Sequence, residues 1–294
     1  MSILRLLVPI ALILVACDDS GDTDPSTDAS ANPSVDASTD ASTDGSPDPS
    51  PDASTDPSPD ASTDASPDDD SIVFRALVNN GFTRLPIEGG EFCVLEPEQD
   101  TDGCATTNAN GMAEWRWLSP SESNFTSRFT LEGYTSMLYL GRWNDTVAAA
   151  FAQELATAGL ITTNFVAYTT VVMNQWLSTG GITPTSGSGH IFIFPVGPNG
   201  EALDGITASL SDGSGTVVYW DANGMTLNAE LTASSTTGGM IIANVAPGTY
   251  TLNLEHEGLV CSNGWAWLSE TPNEYTVPVA ADTVTRTGIF CTAQ

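Results

Sequence analysis

The chain has 294 residues, 37 of them acidic and seven basic, the seven all arginine, for a formal net charge of −30 at neutral pH. Sixteen of the acids precede Ser71, which leaves 21 acids against six arginines, a net charge of −15, for the rest. A surface this negative repels nucleic acid and anionic lipid headgroups, so no nucleic-acid partner is expected.

Met1–Arg5 carries one basic side chain, Leu6–Val15 is a ten-residue apolar run, and Ala16 is small. A spanning helix needs about 20 apolar residues, so the run reads instead as a signal peptide over 1–16. Leu14-Val-Ala-Cys17 reads as a lipobox, where a lipoprotein precursor is cut and its new N-terminal cysteine acylated. The alternative is an ordinary signal peptide followed by a coincidental cysteine. On the lipobox reading Cys17 is the lipidation site, and acyl chains hold the protein to a membrane. Asp18 resembles an inner-membrane retention signal of some bacteria, whereas a long stalk suits an outer surface. The outer membrane or cell surface is the favoured location.

From Asp24 to Asp68 aspartate recurs every fourth residue, with Asn32 filling one gap. The interspersed prolines forbid a helix. With almost nothing apolar, the segment cannot offset the entropy of ordering. Residues 17–70 are expected to be a disordered tether, about 40 Å long as a coil and about 160 Å when fully extended. Its isolated carboxylates do not build the six to eight oxygen ligands that Ca²⁺ takes.

Residues 71–143 then read as short strands with turns between them: Ile72–Val78, Glu91–Leu95, Cys104–Thr107, Met112–Leu118, Ser127–Leu131 and Ser136–Leu140. The turn Asn108-Ala-Asn-Gly111 supplies an asparagine cap and a glycine for positive φ. Residues 146–178 break the rhythm. Thr146-Val-Ala-Ala-Ala-Phe-Ala-Gln-Glu-Leu-Ala156 is rich in helix formers, with Asp145 or Thr146 as N-cap and Gly159 as a stop. Phe165, Tyr168, Val172 and Trp176 follow at helical steps, although their β-branched neighbours leave 164–178 open to helix or strand. Thr179–Gly189 is a polar linker. Residues 190–294 return to strands: His190–Val196, Thr207–Leu210, Val217–Trp220, Met240–Val245, Thr249–His256, Tyr275–Pro278 and Thr283–Phe290. The expected fold is mainly β: two β-sandwich domains, 71–143 and 190–294, joined by a helical connector and linker over 144–189.

Once Cys17 is lipidated, Cys93, Cys104, Cys261 and Cys291 remain, an even number suited to an oxidising compartment. Three pairings are open. The local one, Cys93–Cys104 and Cys261–Cys291, places one bridge in each half. A metal site is disfavoured, since no CxxC spacing exists and His190 and His256 are the only histidines. No cofactor is expected.

The stretch Ser235-Thr-Thr-Gly-Gly-Met-Ile-Ile-Ala-Asn-Val-Ala-Pro-Gly-Thr-Tyr-Thr-Leu-Asn-Leu254 resembles the carboxypeptidase regulatory-like (transthyretin-like) β-sandwich family. Thr106–Trp115 is similar to the same turn in the first half, without the Pro-Gly-Thr-Tyr element. That element makes sense by itself: Pro247-Gly248 turns the chain, and Tyr250, Leu252 and Leu254 then share one face of a strand. The whole arrangement also looks like lipoproteins of Gram-negative bacteria. The resemblance implies an accessory, adhesive or carbohydrate-contacting module, a fold that does not by itself fix function. The similar collagen-adhesin B-type repeats crosslink through lysine, which this chain lacks.

No GxSxG elbow, HExxH motif, phosphate loop or Cys/His nucleophile pair is present. Trp115 and Trp117, and again Trp265 and Trp267, stand two apart, so each pair shares one face of a strand. Either they fill a core or domain seam, or they form a platform on which sugar rings stack. The composite expectation is a lipid-anchored, non-enzymatic envelope protein that binds a glycan or an envelope protein. The alternative is a structural component or accessory subunit of a larger surface complex.

Overall fold

The computed structural model describes residues 72–96, 103–117, 123–143, 153–154, 156–262 and 271–294. The signal peptide, Cys17, the tether, most of the helix expected over 146–156, and Trp265 and Trp267 lie outside the described residues.

In the first half the strands are β1 Ile72–Asn80, β2 Glu91–Glu96, β3 Cys104–Thr106, β4 Met112–Trp117, β5 Ser123–Thr130 and β6 Ser136–Trp143. β7 (Leu160–Ala167) and helix α1 (Thr170–Thr179) follow. Then come β8 Gly189–Val196, β9 Thr207–Leu210, β10 Thr216–Trp220, β11 Leu227–Asn228 and β12 Met240–Val245. β13 Gly248–Glu255, β14 Leu259–Ser262, β15 Glu274–Val279 and β16 Thr283–Ala293 complete the chain. The protein is mainly β, and each strand expected from the sequence is present with its ends shifted by a few residues.

The segment 164–178 is both strand and helix. Phe165 closes the parallel strand β7, which pairs with β1 from Leu160 to Ala167. Thr169 then caps α1, its hydroxyl accepting the Val172 N–H at 3.3 Å. Val172 and Trp176 belong to that helix, so the helical spacing in the sequence straddles two elements.

Three sheets carry the strands. A ten-stranded sheet has the order β11-β10-β12-β8-β16-β6-β5-β2-β3, with β14 also on β16. β4-β1-β7 and β15-β13-β9 form two three-stranded sheets. Alternate residues of a strand face opposite sides, and in the middle strands of the large sheet both sides are buried. On β8, Phe192 enters one core while Ile191 and Ile193 enter the other. β12 divides the same way, Ile241 and Ala243 against Met240 and Ile242; so does β6, Met137 and Tyr139 against Leu138 and Leu140. The β4-β1-β7 sheet and α1 cover the first face through Phe74, Trp115, Phe165, Met173 and Leu177. The β15-β13-β9 sheet covers the second through Leu210, Leu252, Leu254, Tyr275 and Val277. The result is two sandwiches sharing one middle wall.

β16 joins the halves, running parallel between β8 and β6. Strands of 71–143 and of 190–294 therefore lie in one sheet, and β7 and α1 of the connector line the first core. The Tyr139 hydroxyl donates to the Val166 carbonyl at 2.8 Å, tying β6 to β7 across that core. Burial pushes its ionisation far above the ordinary tyrosine range.

Two disulfides join directly opposed residues of neighbouring strands: Cys93–Cys104 across β2 and β3, Cα atoms 3.9 Å apart, and Cys261–Cys291 across β14 and β16, 3.8 Å apart. In the chain-entropy treatment each closure stabilises by about 3 kcal/mol.

The shared wall makes a prediction. Residues 190–294 produced alone should not fold cooperatively, because β16 loses β6 and the face bearing Phe192, Val218, Trp220 and Ile241 is opened to water. Exposing those side chains costs on the order of 6 kcal/mol or more, comparable with a domain's whole stability. A soluble fragment with a sharp thermal transition near that of the intact chain would disprove the dependence.

Candidate functional site

Trp115 lies on the inner face of β4, opposite Phe74 in the register, and is buried. Its ring stacks on Phe74 with centroids 4.8 Å apart and on Phe92 at 5.3 Å. A ring held between two others offers no face to a sugar, so for Trp115 the ligand platform is corrected to core packing. Trp117 ends β4, while Trp265 and Trp267 lie outside the described residues. Among the described residues, one cluster has the composition of a metal site, Glu91 with Cys93 and Cys104. Its two sulfurs are already joined to each other.

The histidines have structural roles. His256 Nδ1 accepts the Gly258 N–H at 3.0 Å within its own turn. His190 is buried, and its Nδ1 accepts the Asn244 N–H at 3.2 Å. Asn244 stands at φ 57 and Asp282 at φ 53, left-handed positions that asparagine and aspartate tolerate best among residues with a Cβ. Both hold the linker before β8. Asn244 Oδ1 accepts from the Thr185 N–H at 2.9 Å and its Nδ2 donates to Thr183 O at 3.0 Å. Asp282 Oδ1 accepts from the Gly187 N–H at 2.8 Å. Burial holds the His190 imidazole below its usual pKa, and the Asp282 carboxylate opposes that shift less strongly.

A different surface stands out at the end of β1. Phe82 and Leu85 are 60% and 65% exposed, and Val171, in the first turn of α1, is 75% exposed. The turn between them is tightly built. Asn80 Oδ1 accepts from the N–H groups of Phe82 and Thr83, both at 2.9 Å. The Arg84 N–H donates to Asn80 O at 2.9 Å, and the Asn80 N–H donates to Leu85 O at 2.8 Å. Arg84 takes φ 63, so the turn reverses within a few residues. The Gly81 N–H donates to Ala167 O at 2.8 Å, and a Cβ at Gly81 would collide with the Tyr168 ring. Thr170 N–H to Gly133 O, and Thr135 N–H to Tyr168 O, each at 3.0 Å, stitch the 131–135 loop to the start of α1. Hydrogen bonds thus join three segments, which carry the exposed Phe82, Leu85 and Val171. The sequence reading passed over this turn. Its signal was the Asn80-Gly81 step between two strands, followed by apolar residues where a solvated turn would carry polar ones.

No family model matches the chain, and no curated protein matches it. Among solved structures it is similar to the Bacillus anthracis TIE protein, at 10% identity and a TM-score of 0.24 over 76% of this chain and 34% of that one. It is also similar to a minor pilin of Streptococcus agalactiae, at 13% identity and a TM-score of 0.25 over 76% and 96% of the two chains. A mutant shaft pilin of Lactobacillus rhamnosus GG gives 14% and 0.25 over 76% and 98%. The chain therefore spans about a third of the first protein and nearly all of the two pilins. Scores this low carry no argument about function.

The His190 contact sets a pH dependence. With its folded pKa lowered, the unfolded chain takes up a proton first as pH falls through about 6.5, so stability is present above that value and declines below it. The urea midpoint should fall between pH 7 and pH 5 in the native chain. It should fall less in His190→Asn, whose amide oxygen accepts the Asn244 N–H without titrating. Parallel pH profiles for the two proteins would refute the assignment.

Proposed function

We propose that this chain is a lipid-anchored, non-enzymatic envelope protein that holds its β-sandwich body on a long acidic tether for surface binding or adhesion, with a glycan or a protein as ligand. The carrying observation is the order Leu14-Val-Ala-Cys17, then the Asp/Ser/Pro repeat, then a strand-rich body containing four cysteines. The favoured location is the outer membrane or cell surface. On this reading the second half is a sandwich of the carboxypeptidase regulatory-like kind.

Two structural features support the reading. The cysteines of the body stand in opposed pairs that an oxidising compartment would join. Both histidines serve as acceptors for backbone N–H groups, which leaves neither ring nitrogen Nδ1 available as a base. The burial of Trp115 removes one of the four tryptophans offered for sugar stacking, and the alternative reading is an accessory subunit of a surface complex.

The test is the anchor. Cys17→Ser should abolish acylation and move the protein from the membrane fraction to the soluble one, since a single substitution removes every acyl chain. A Cys17→Ser protein that stays with the membranes, and washes off with neither salt nor carbonate, would sink the proposal.

A further inference from the structure

We propose that Cys93–Cys104 is an exchangeable disulfide: Cys104 takes up a small thiol as a mixed disulfide, and Cys93 is the sulfur displaced. Three observations carry this. First, the two bridges of the body differ in access. Cys104 is exposed, whereas Cys93 is 1% exposed, and Cys261 and Cys291 are 2% and 0% exposed. Exchange needs a thiolate to reach one sulfur of the bond, so access decides which bond reacts and at which end. Cys104 also lies on β3, the last strand at its end of the large sheet. Cys261, by contrast, is held by Asn273: its N–H donates to Asn273 Oδ1 at 2.6 Å, and its carbonyl accepts from the Asn273 N–H at 3.0 Å.

Second, charge distinguishes the two ends of the bond. Arg128 stands directly opposite Cys93 on β5, on the same face of the sheet, which puts their Cβ atoms about 5 Å apart. Among the described residues Arg128 stands in no ion pair, whereas Arg75 is paired with Glu114. A cation beside a cysteine lowers its pKa, and a sulfur of lower pKa leaves faster. Glu91 is exposed, and its carboxylate and both sulfurs lie within 4.8 Å of one another. It acts on both sulfurs alike, so the difference between the ends comes from Arg128, and Cys93 is the better leaving group. Glu91 also crowds the bond and repels an anionic reactant, which suits a small thiol that is neutral or cationic overall.

Third, the hairpin has other ties. The Thr107 N–H donates to Gly90 O and the Gly89 N–H to Thr107 O, each at 2.8 Å. The Gly90 N–H donates to Thr107 Oγ1 at 2.9 Å, and the Val94 N–H to Gly103 O at 2.6 Å. These bonds flank the bridge on both sides and keep β3 on β2 when the sulfurs part. The step is balanced. A thiolate attacks Cys104 Sγ, the Cys93–Cys104 S–S bond breaks as the new S–S bond forms, and the electron pair leaves on Cys93 as a thiolate. No external oxidant or reductant is consumed. Cys93, still beside the mixed disulfide, reverses the step by attacking Cys104 Sγ and expelling the thiol. None of this depends on how the chain is anchored.

The test uses the chain from residue 17 onward with Cys17→Ser, so that the four cysteines of the body are the only ones. Folded protein is treated with cysteamine, quenched with N-ethylmaleimide and mapped by mass spectrometry. Cysteamine should appear on Cys104 and the maleimide on Cys93, and the adduct should still melt in one sharp transition. Cys261–Cys291 should react on the order of a hundredfold more slowly, because it opens only with the structure around it. In concentrated urea the two bridges should react within about threefold of each other. Arg128→Gln should slow the folded reaction about twofold, the size expected of one exposed charge acting on the leaving sulfur. Glu91→Gln should speed mercaptoethanesulfonate about twofold more than it speeds cysteamine. Equal reactivity of the two bridges in the folded chain, cysteamine chiefly on Cys93, a preference that persists in urea, or an adduct without a cooperative melt would overturn the exchange site. An unchanged rate in Arg128→Gln would overturn the choice of Cys93 as leaving group by charge, and an unchanged ratio of the two thiols in Glu91→Gln would overturn the selectivity.

Discussion

Everything in this molecule hangs on a sheet that is buried on both sides. In β8 from Ile191 to Phe194 and in β12 from Met240 to Ala243, successive residues belong to one core and then the other, which leaves neither side of those stretches to water. The two cores differ in kind. One holds Phe74, Phe92, Phe129, Phe165, Phe192, Trp115 and Trp220; the other is filled mostly by Ile191, Ile193, Ile206, Ile242, Leu252 and Val277. A slip of β8 by one residue would send two phenylalanines into the aliphatic core and two isoleucines into the aromatic one. Register is therefore set twice, once by each face, which is stronger than the usual choice between core and solvent. Packing density leaves neither core room to absorb the exchange.

All three sheets have edges, and several of these are closed by specific devices. β3 is only three residues long and is bridged to β2 by Cys93–Cys104. β11, at the opposite end, has two residues. On the outer side of β7, Glu154 Oε1 accepts the Thr162 N–H at 2.9 Å while the Tyr139 hydroxyl covers the Val166 carbonyl. β15 carries Pro278, which has no N–H to offer, and its carbonyl already accepts from the Thr285 hydroxyl at 2.6 Å. With these edges occupied or cut short, strand addition at β3, β7, β11 or β15 is a poor route to a partner. Among the described residues, the most exposed large apolar side chains, Phe82, Leu85 and Val171, stand after β1 and in the first turn of α1.

The strands were legible because most are bounded by Gly, Asn or Pro turns and alternate or run apolar over four to eight residues. What escaped was non-local. Nothing near β16 announces that it will lie parallel to both β8 and β6, so two stretches of similar grammar looked like two separate sandwiches when their strands share a sheet. β7 escaped for a different reason. Its polar run Thr162-Thr163-Asn164 hides the strand, and Phe165 happens to sit at helical distance from residues of the next element. Trp115 was readable only as one of two possibilities, since a strand position fixes which residues share a face but not which face is covered. Phe74, its partner across the register, decided that, 41 residues earlier in the chain.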